Sequence, residues 1–409
     1  MVQRVICLFL CLSCLFVVTL PVSANETDQF NLPPKPLADI APEVEAYVAQ
    51  KIQKAIDNLN DQIVQHEGCV NNHPFPSAAF GRREGSTAIV EAPPPRRSPN
   101  CGTQKQEQSK LDGLRTPDAV ALAVYNQLGA GNIFLSDTGK WLNTHKFEHE
   151  PSRYTTTYGE SIYVSAPVNY ATISPTIRVY GVEFGTDKFD HLFQQGYTYY
   201  RKYNAARKAG KTDAQALKAA VDYGRFTENT FFGYTVSGVY SNADLAANIA
   251  GLKFYQNLAN DIQLGDTTQL AILKMVDGRW DGTRTLLSAS PLAATSTQPA
   301  ITADEASAVA DKSVRVPILR PFITDHLNEA LNPSNYLFFL YPVVKNVVQK
   351  RACPEWHAAF PTLTRESVTK RTAALTTWNG LDYGYKQTSR QPRLADLCFA
   401  DPKSPSAKE

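Results

Sequence analysis

The sequence predicts a mainly α, irregular multi-helix globular domain with long loops and a few short strands. Apolar residues recur at helical spacing in several long segments, the signature of amphipathic helices. The β-prone residues are confined to one stretch broken by prolines, and long Pro/Ser/Thr-rich runs separate the periodic segments. That combination favours helices joined by irregular chain over a sandwich or an α/β sheet.

Residues 25–68 hold the first element, where Val44, Val48, Ile52, Ile56, Leu59 and Ile63 recur on one face of an amphipathic helix. From 69 to 112 the chain turns Pro-, Gly- and Arg-rich and reads as a long surface excursion tied at its base. The main helical domain is expected over 113–400. Within it, Thr116 caps a helix with Pro117 in its first turn and an end near Gly129. Residues 153–184 read as short strands or extended loops interrupted by Pro167 and Pro175. A core block at 185–262 reads as three helices, near 186–208, 212–229 and 241–261. Residues 281–316 read as a long loop with one short helix, and 401–409 as a disordered tail.

The first 24 residues give the compartment. Arg4 precedes the apolar run "VICLFLCLSCLFVVTL", which ends at "PVSA" before a polar stretch. This reads as a secretory signal cleaved after about Ala24. The apolar run falls short of the roughly 20 residues that span a bilayer, so the mature chain is expected to carry no transmembrane anchor and to be periplasmic or secreted. Cleavage leaves Cys69, Cys101, Cys353 and Cys398, which in an exported chain read as two disulfides. Pairing nearest neighbours favours Cys69–Cys101 and Cys353–Cys398. None stands at CxxC spacing, which argues against a zinc knuckle. With 41 Lys plus Arg against 39 Asp plus Glu and no basic stripe, nucleic acid is not an expected partner.

The candidate site lies in the core block. On a helix starting at Thr186, Asp187, His191 and Gln194 or Gln195 share a face through three- and four-residue spacing. In "SNADLAANIAGLKFYQNL", Asp244, Asn248, Gly251 and Tyr255 do the same, and Glu228 ends the helix between. Buried polar groups need partners. Facing stripes would supply them, gathering Asp187, His191, Glu228, Asp244 and Asn248. Each also has a structural account: Asp187 favours a helix dipole, Ser241 and Asp244 stand at capping-box spacing, His191 is a satisfied core histidine, and Gly251 is a close-packing contact.

"DKFDH", Glu228 and "SNADLAANIAG" resemble the D-K-x-x-H, E, S-x-x-D-x-x-x-N-x-x-G pattern of VanZ-like proteins and related bacterial envelope proteins of unknown function. The resemblance rests on Asp187, Lys188, His191, Glu228, Asp244, Asn248 and Gly251. It implies an envelope setting and a recurring polar cluster between helices.

Read as a catalyst, the cluster suits hydrolysis. His191 acts as general acid or base oriented by Asp187, and Lys188 stabilises an anionic intermediate. Glu228 and Asp244 activate water or hold a divalent cation with His191. Asn248, Gln195, Tyr255 and Phe232 would contribute to binding an envelope glycan, peptide or lipid. No cofactor is required, although a divalent metal is allowed. The competing expectation is a non-enzymatic binding or structural protein with a buried polar network. "THKFEHE" reads as a surface charge cluster, and "TDHLNEALNPSNY" as a solvated helix end from which Glu329 and Asn332 could still line the same cavity. No Walker, dinucleotide, GxSxG or HExxH signature is present.

Overall fold

A computed structural model describes residues 26–71, 101–132, 135–164, 173–230, 233–235, 237–282 and 317–400. The signal, most of the Pro-rich excursion, Pro167, Phe232, the 283–316 loop and the tail lie outside the described residues. The fold is mainly helical, with short strands paired only in two-stranded sheets. The chain divides into two compact units, Met1–Ala41 with Gly131–Leu252 and Phe322–Glu409, and Pro42–Ala130 with Lys253–Pro321.

The second of these is built on α1 (Ala41–Val70), whose six periodic apolar residues are all buried. Residues 104–112, expected within the excursion, belong instead to a helix, α2 (Gln104–Leu114), closed by a Thr103–Gln106 capping box. α3 (Pro117–Leu128) starts at a Thr116 cap and ends at Gly129. The Glu67 carboxylate receives both Arg115 and Arg279, and Cys69 is bonded to Cys101, so the end of α1 is fixed to its neighbours.

The other unit positions the cluster. After α4 (Asp137–Thr144), a hairpin of β1 (Thr176–Val179) and β2 (Val182–Gly185) pairs Thr176 with Gly185 and Val179 with Val182. Its two-residue turn has Tyr180 and Gly181 at φ 53° and 78°, the backbone that matches strand twist. The Asp39 carboxylate accepts from both turn N–H groups, at 3.0 and 2.6 Å. β2 hands the chain directly to α5 (Asp187–Asp190), which continues through a π turn, His191–Gln195, into α6 (Gly196–Lys208). α7 (Asp213–Asn229) is closed by a Thr212–Gln215 capping box and packs along α6. β3 (Val239–Tyr240) pairs later with Asn335–Tyr336, and α8 (Asn242–Asn257) follows it.

Small and apolar residues surround α8, from Ala243 to Phe254, which is the composition of a helix buried all round. Gly196 and Gly251 let α6 and α8 touch through their backbones: a Cβ at Gly196 would stand 2.5 Å from the Gly251 Cα. A separate apolar core joins Phe30, Tyr163, Tyr336, Val344, Trp356 and Leu394, clipped by the Cys353–Cys398 disulfide. Among the described residues no helix is long and apolar enough to cross a membrane.

Candidate functional site

Five separate stretches of chain, at 26–27, 187–191, 228, 241–248 and 329, supply the cluster at the start of the α5 helix. The hairpin fixes Asp187 and Lys188, and the π turn begins at His191. Such turns insert one residue into the helical ladder, re-aim the side chains beside it and are frequent at functional sites. From α8, the Ser241 hydroxyl accepts the Asp244 N–H at 3.1 Å, so the expected cap forms and places Asp244 in the first turn. Glu228, near the end of α7, accepts the Ser241 N–H at 3.1 Å.

Lys188 is the centre of the group. Its side chain is 0 % exposed, and its ammonium donates to Asp187 Oδ2 at 2.5 Å, to Asp244 Oδ1 at 2.6 Å and to Glu329 Oε1. All three N–H donors are therefore consumed by carboxylates. Burial alone would push the ammonium down, but the three carboxylates outweigh it and hold its pKa above the ordinary lysine value. That arrangement makes Lys188 an internal counter-ion. Asp187 is equally occupied, since its Oδ1 accepts from the Thr27 hydroxyl at 2.7 Å. A favourable helix dipole is thus not its whole account.

His191 sits at the edge, with its side chain 16 % exposed. Nε2 lies 3.2 Å from Asp244 Oδ2, and Nδ1 lies 3.1 Å from Asn248 Oδ1. Burial lowers the imidazole pKa, yet the Asp244 charge and hydrogen bond raise it to about 9. The Asn248 amide in turn reaches the Tyr199 hydroxyl at 3.5 Å.

Five carboxyl groups, from Glu26, Asp187, Glu228, Asp244 and Glu329, share the two cations Lys188 and His191. The excess of acid shows in their protonation. Burial followed by the Asp244 charge lifts Glu228 to about 8; burial, only partly offset by Lys188, lifts Glu329 to about 7. Glu26 is driven well above the usual range by burial and by Glu329. Burial would raise Asp244 as well, but His191 and Lys188 outweigh it and pull that carboxylate below the usual range. Carboxyl groups pushed in opposite directions within one cluster mark the kind of site where acid and base roles separate.

Asp187, Lys188, His191, Asp244 and Asn248 therefore come together in direct contact, with Glu228 in electrostatic reach. Gln195 is half-buried within the π turn, while its neighbour Gln194 donates to the Asn132 carbonyl at 2.7 Å. Tyr255 belongs to the other unit, buried edge-on against Phe254. The segment around Glu329 differs from the expected solvated helix end: Glu329 and Asn332 are 0 % and 1 % exposed. Its short polar side chains are used inside, against backbone carbonyls and Lys188. Glu26, Thr27 and Gln29 escaped sequence reasoning because an extended segment carries no periodicity to read. α4 ends at Thr144, so His145 and His149 share no helix; His145 stacks on Trp141 and His149 is exposed.

Asp187, His191 and Asp244 each offer one ligand atom within 4.8 Å of the others, a donor set that suits a divalent metal ion. No family model, curated protein or solved structure matches the chain.

Proposed function

We propose that this chain is an exported envelope protein whose Asp187, His191 and Asp244 hold a divalent cation for hydrolysis of an envelope glycan, peptide or lipid. The observation that carries the proposal is the convergence of those three ligand atoms within 4.8 Å. Bonds of about 2.0–2.1 Å at tetrahedral angles would set neighbouring ligand atoms roughly 3.3 Å apart. His191 Nε2 and Asp244 Oδ2, at 3.2 Å, are already close to that spacing. A second, independent observation is Glu26 Oε2, buried without a hydrogen-bond partner in the same acid-rich cluster.

A bound divalent ion supplies Lewis acidity and makes water a nucleophile at neutral pH. The remaining roles belong to side chains. The Asn248 carbonyl oxygen accepts from His191 Nδ1–H, and the Nε2 proton that His191 shares with Asp244 in the metal-free protein would be released when a cation binds. Lys188 holds the Asp187 and Asp244 carboxylates in place. Glu228 stands beside them to carry a proton. The two disulfides suit an oxidising compartment, which supports export.

A second assignment, a non-enzymatic protein with a purely structural network, draws support from Lys188, whose donors are all satisfied, and from His191, whose two nitrogens are both paired. Zn²⁺ titration of chelator-treated protein separates the two. The metal centre requires saturable 1:1 binding that weakens at least about 100-fold in His191→Gln, together with zinc-dependent cleavage of a chromogenic ester or glycoside. Absence of binding, with a His191→Gln melting temperature several degrees below wild type in chelator, would establish the structural network instead. An unchanged or raised melting temperature favours a functional histidine.

A further inference from the structure

The segment Glu26–Asn31 is polar at five of its six positions, yet none of its residues is more than 4 % exposed. Such a segment stays inside because most of its polar groups are matched, with Glu26 Oε2, Gln29 Nε2 and Asn31 Oδ1 the exceptions. The Asp28 carboxylate accepts from the Ile162 and Asn31 N–H groups at 3.0 and 3.2 Å. Gln29 Oε1 accepts the Glu329 N–H at 2.5 Å, and the Phe30 carbonyl accepts the Trp356 indole N–H at 2.9 Å. Thr27 makes the contact that reaches the site, donating its hydroxyl to Asp187 Oδ1 at 2.7 Å.

Gly185, the last residue of β2, sits against that contact. A Cβ there would overlap both the Thr27 hydroxyl and Asp187 Oδ1. The hairpin thus ends in the one residue type that leaves room for the N-terminal segment to pass.

We infer that Thr27 is a positioning residue for Asp187, so that the N-terminal segment completes the cation site. The hydroxyl takes one oxygen of the carboxylate while Lys188 takes the other, which fixes the carboxylate plane relative to His191 and Asp244. Partners that orient a ligating carboxylate commonly change metal affinity by about 10–100-fold when removed. The inference rests on the metal centre proposed above, but it concerns a residue outside the ligand set.

The test is Zn²⁺ affinity by calorimetry, with the Co²⁺ absorption spectrum as a report on ligand geometry, in wild type, Thr27→Val, Thr27→Ser and Gly185→Ala. Circular dichroism and melting in chelator check that each variant is folded. The expected result is affinity at least about 10-fold weaker and an altered cobalt spectrum in Thr27→Val, with Thr27→Ser restoring both. Gly185→Ala should weaken binding in the same direction. Wild-type affinity and spectrum in a folded Thr27→Val would overturn the inference and leave the metal centre standing. Absence of binding by wild type would remove the metal centre itself, and the inference with it.

Discussion

At the residue scale, Lys188 is the side chain on which the cluster turns. A fully buried ammonium is tolerated because three carboxylates surround it. Removing one partner of such a group leaves charges without compensation, at a cost of about 3–5 kcal/mol. Lys188→Met should therefore lower unfolding stability in urea by that amount, and a loss below about 1 kcal/mol would show that the carboxylates simply take up protons. His326 supplies a separate and simpler case. Its Nε2–H donates to the Thr377 carbonyl at 2.9 Å and its Nδ1 accepts from the Thr324 hydroxyl at 3.1 Å, so the folded protein holds it neutral. Burial lowers its pKa below the ordinary 6.5. The unfolded chain then binds a proton that the folded chain refuses. The contribution is full above pH 6.5 and is lost as pH falls through it, by up to about 1.4 kcal/mol per unit. Stability measured from pH 7.5 to 5.5 should fall more steeply for wild type than for His326→Gln; parallel curves would exclude the histidine as the source.

At the element scale, what mattered was how closely α6 and α8 approach. The facing stripes were legible in sequence because helical spacing is a local property, and His191, Asp244 and Asn248 meet as that spacing implied. The π turn at His191 was not legible, since no residue pattern in "HLFQQ" marks one. Nor were Glu26 and Thr27, which enter from a segment whose partners lie about 160 positions away in sequence. Glu329 was visible only as a polar residue near a proline, because the counter-ion that buries it comes from another element. Gly251 now has a definite role: a Cβ at this position would overlap the Leu192 carbonyl oxygen and crowd the Gly196 Cα. Gly251→Ala should cost about 1–3 kcal/mol by forcing the helices apart. Because His191 and Asp244 lie on opposite sides of that contact, Zn²⁺ affinity should fall with it. A variant that lost stability but bound zinc as wild type would place the strain elsewhere.

At the scale of the whole molecule, the long-range constraints that were legible in sequence are those carried by covalent chemistry. Nearest-neighbour pairing of the four cysteines was sufficient to predict both disulfides, whereas the packing of helices around the ion cluster depends on partners spread from residue 26 to residue 329. Cys353 and Cys398 are 45 positions apart and flank the apolar core that contains Trp356, Leu394 and Phe399. Closing a loop of that length removes freedom mainly from the unfolded chain, which corresponds to about 4 kcal/mol. The Cys353→Ala/Cys398→Ala variant should therefore unfold at lower urea concentration by an amount equivalent to that energy. No atom of the ion cluster bonds to either cysteine, so the folded variant should retain wild-type Zn²⁺ affinity if the clip acts on the unfolded state alone. Equal losses of stability and of affinity would instead show that the disulfide shapes the folded site, and that the apolar core and the ion cluster behave as one cooperative body.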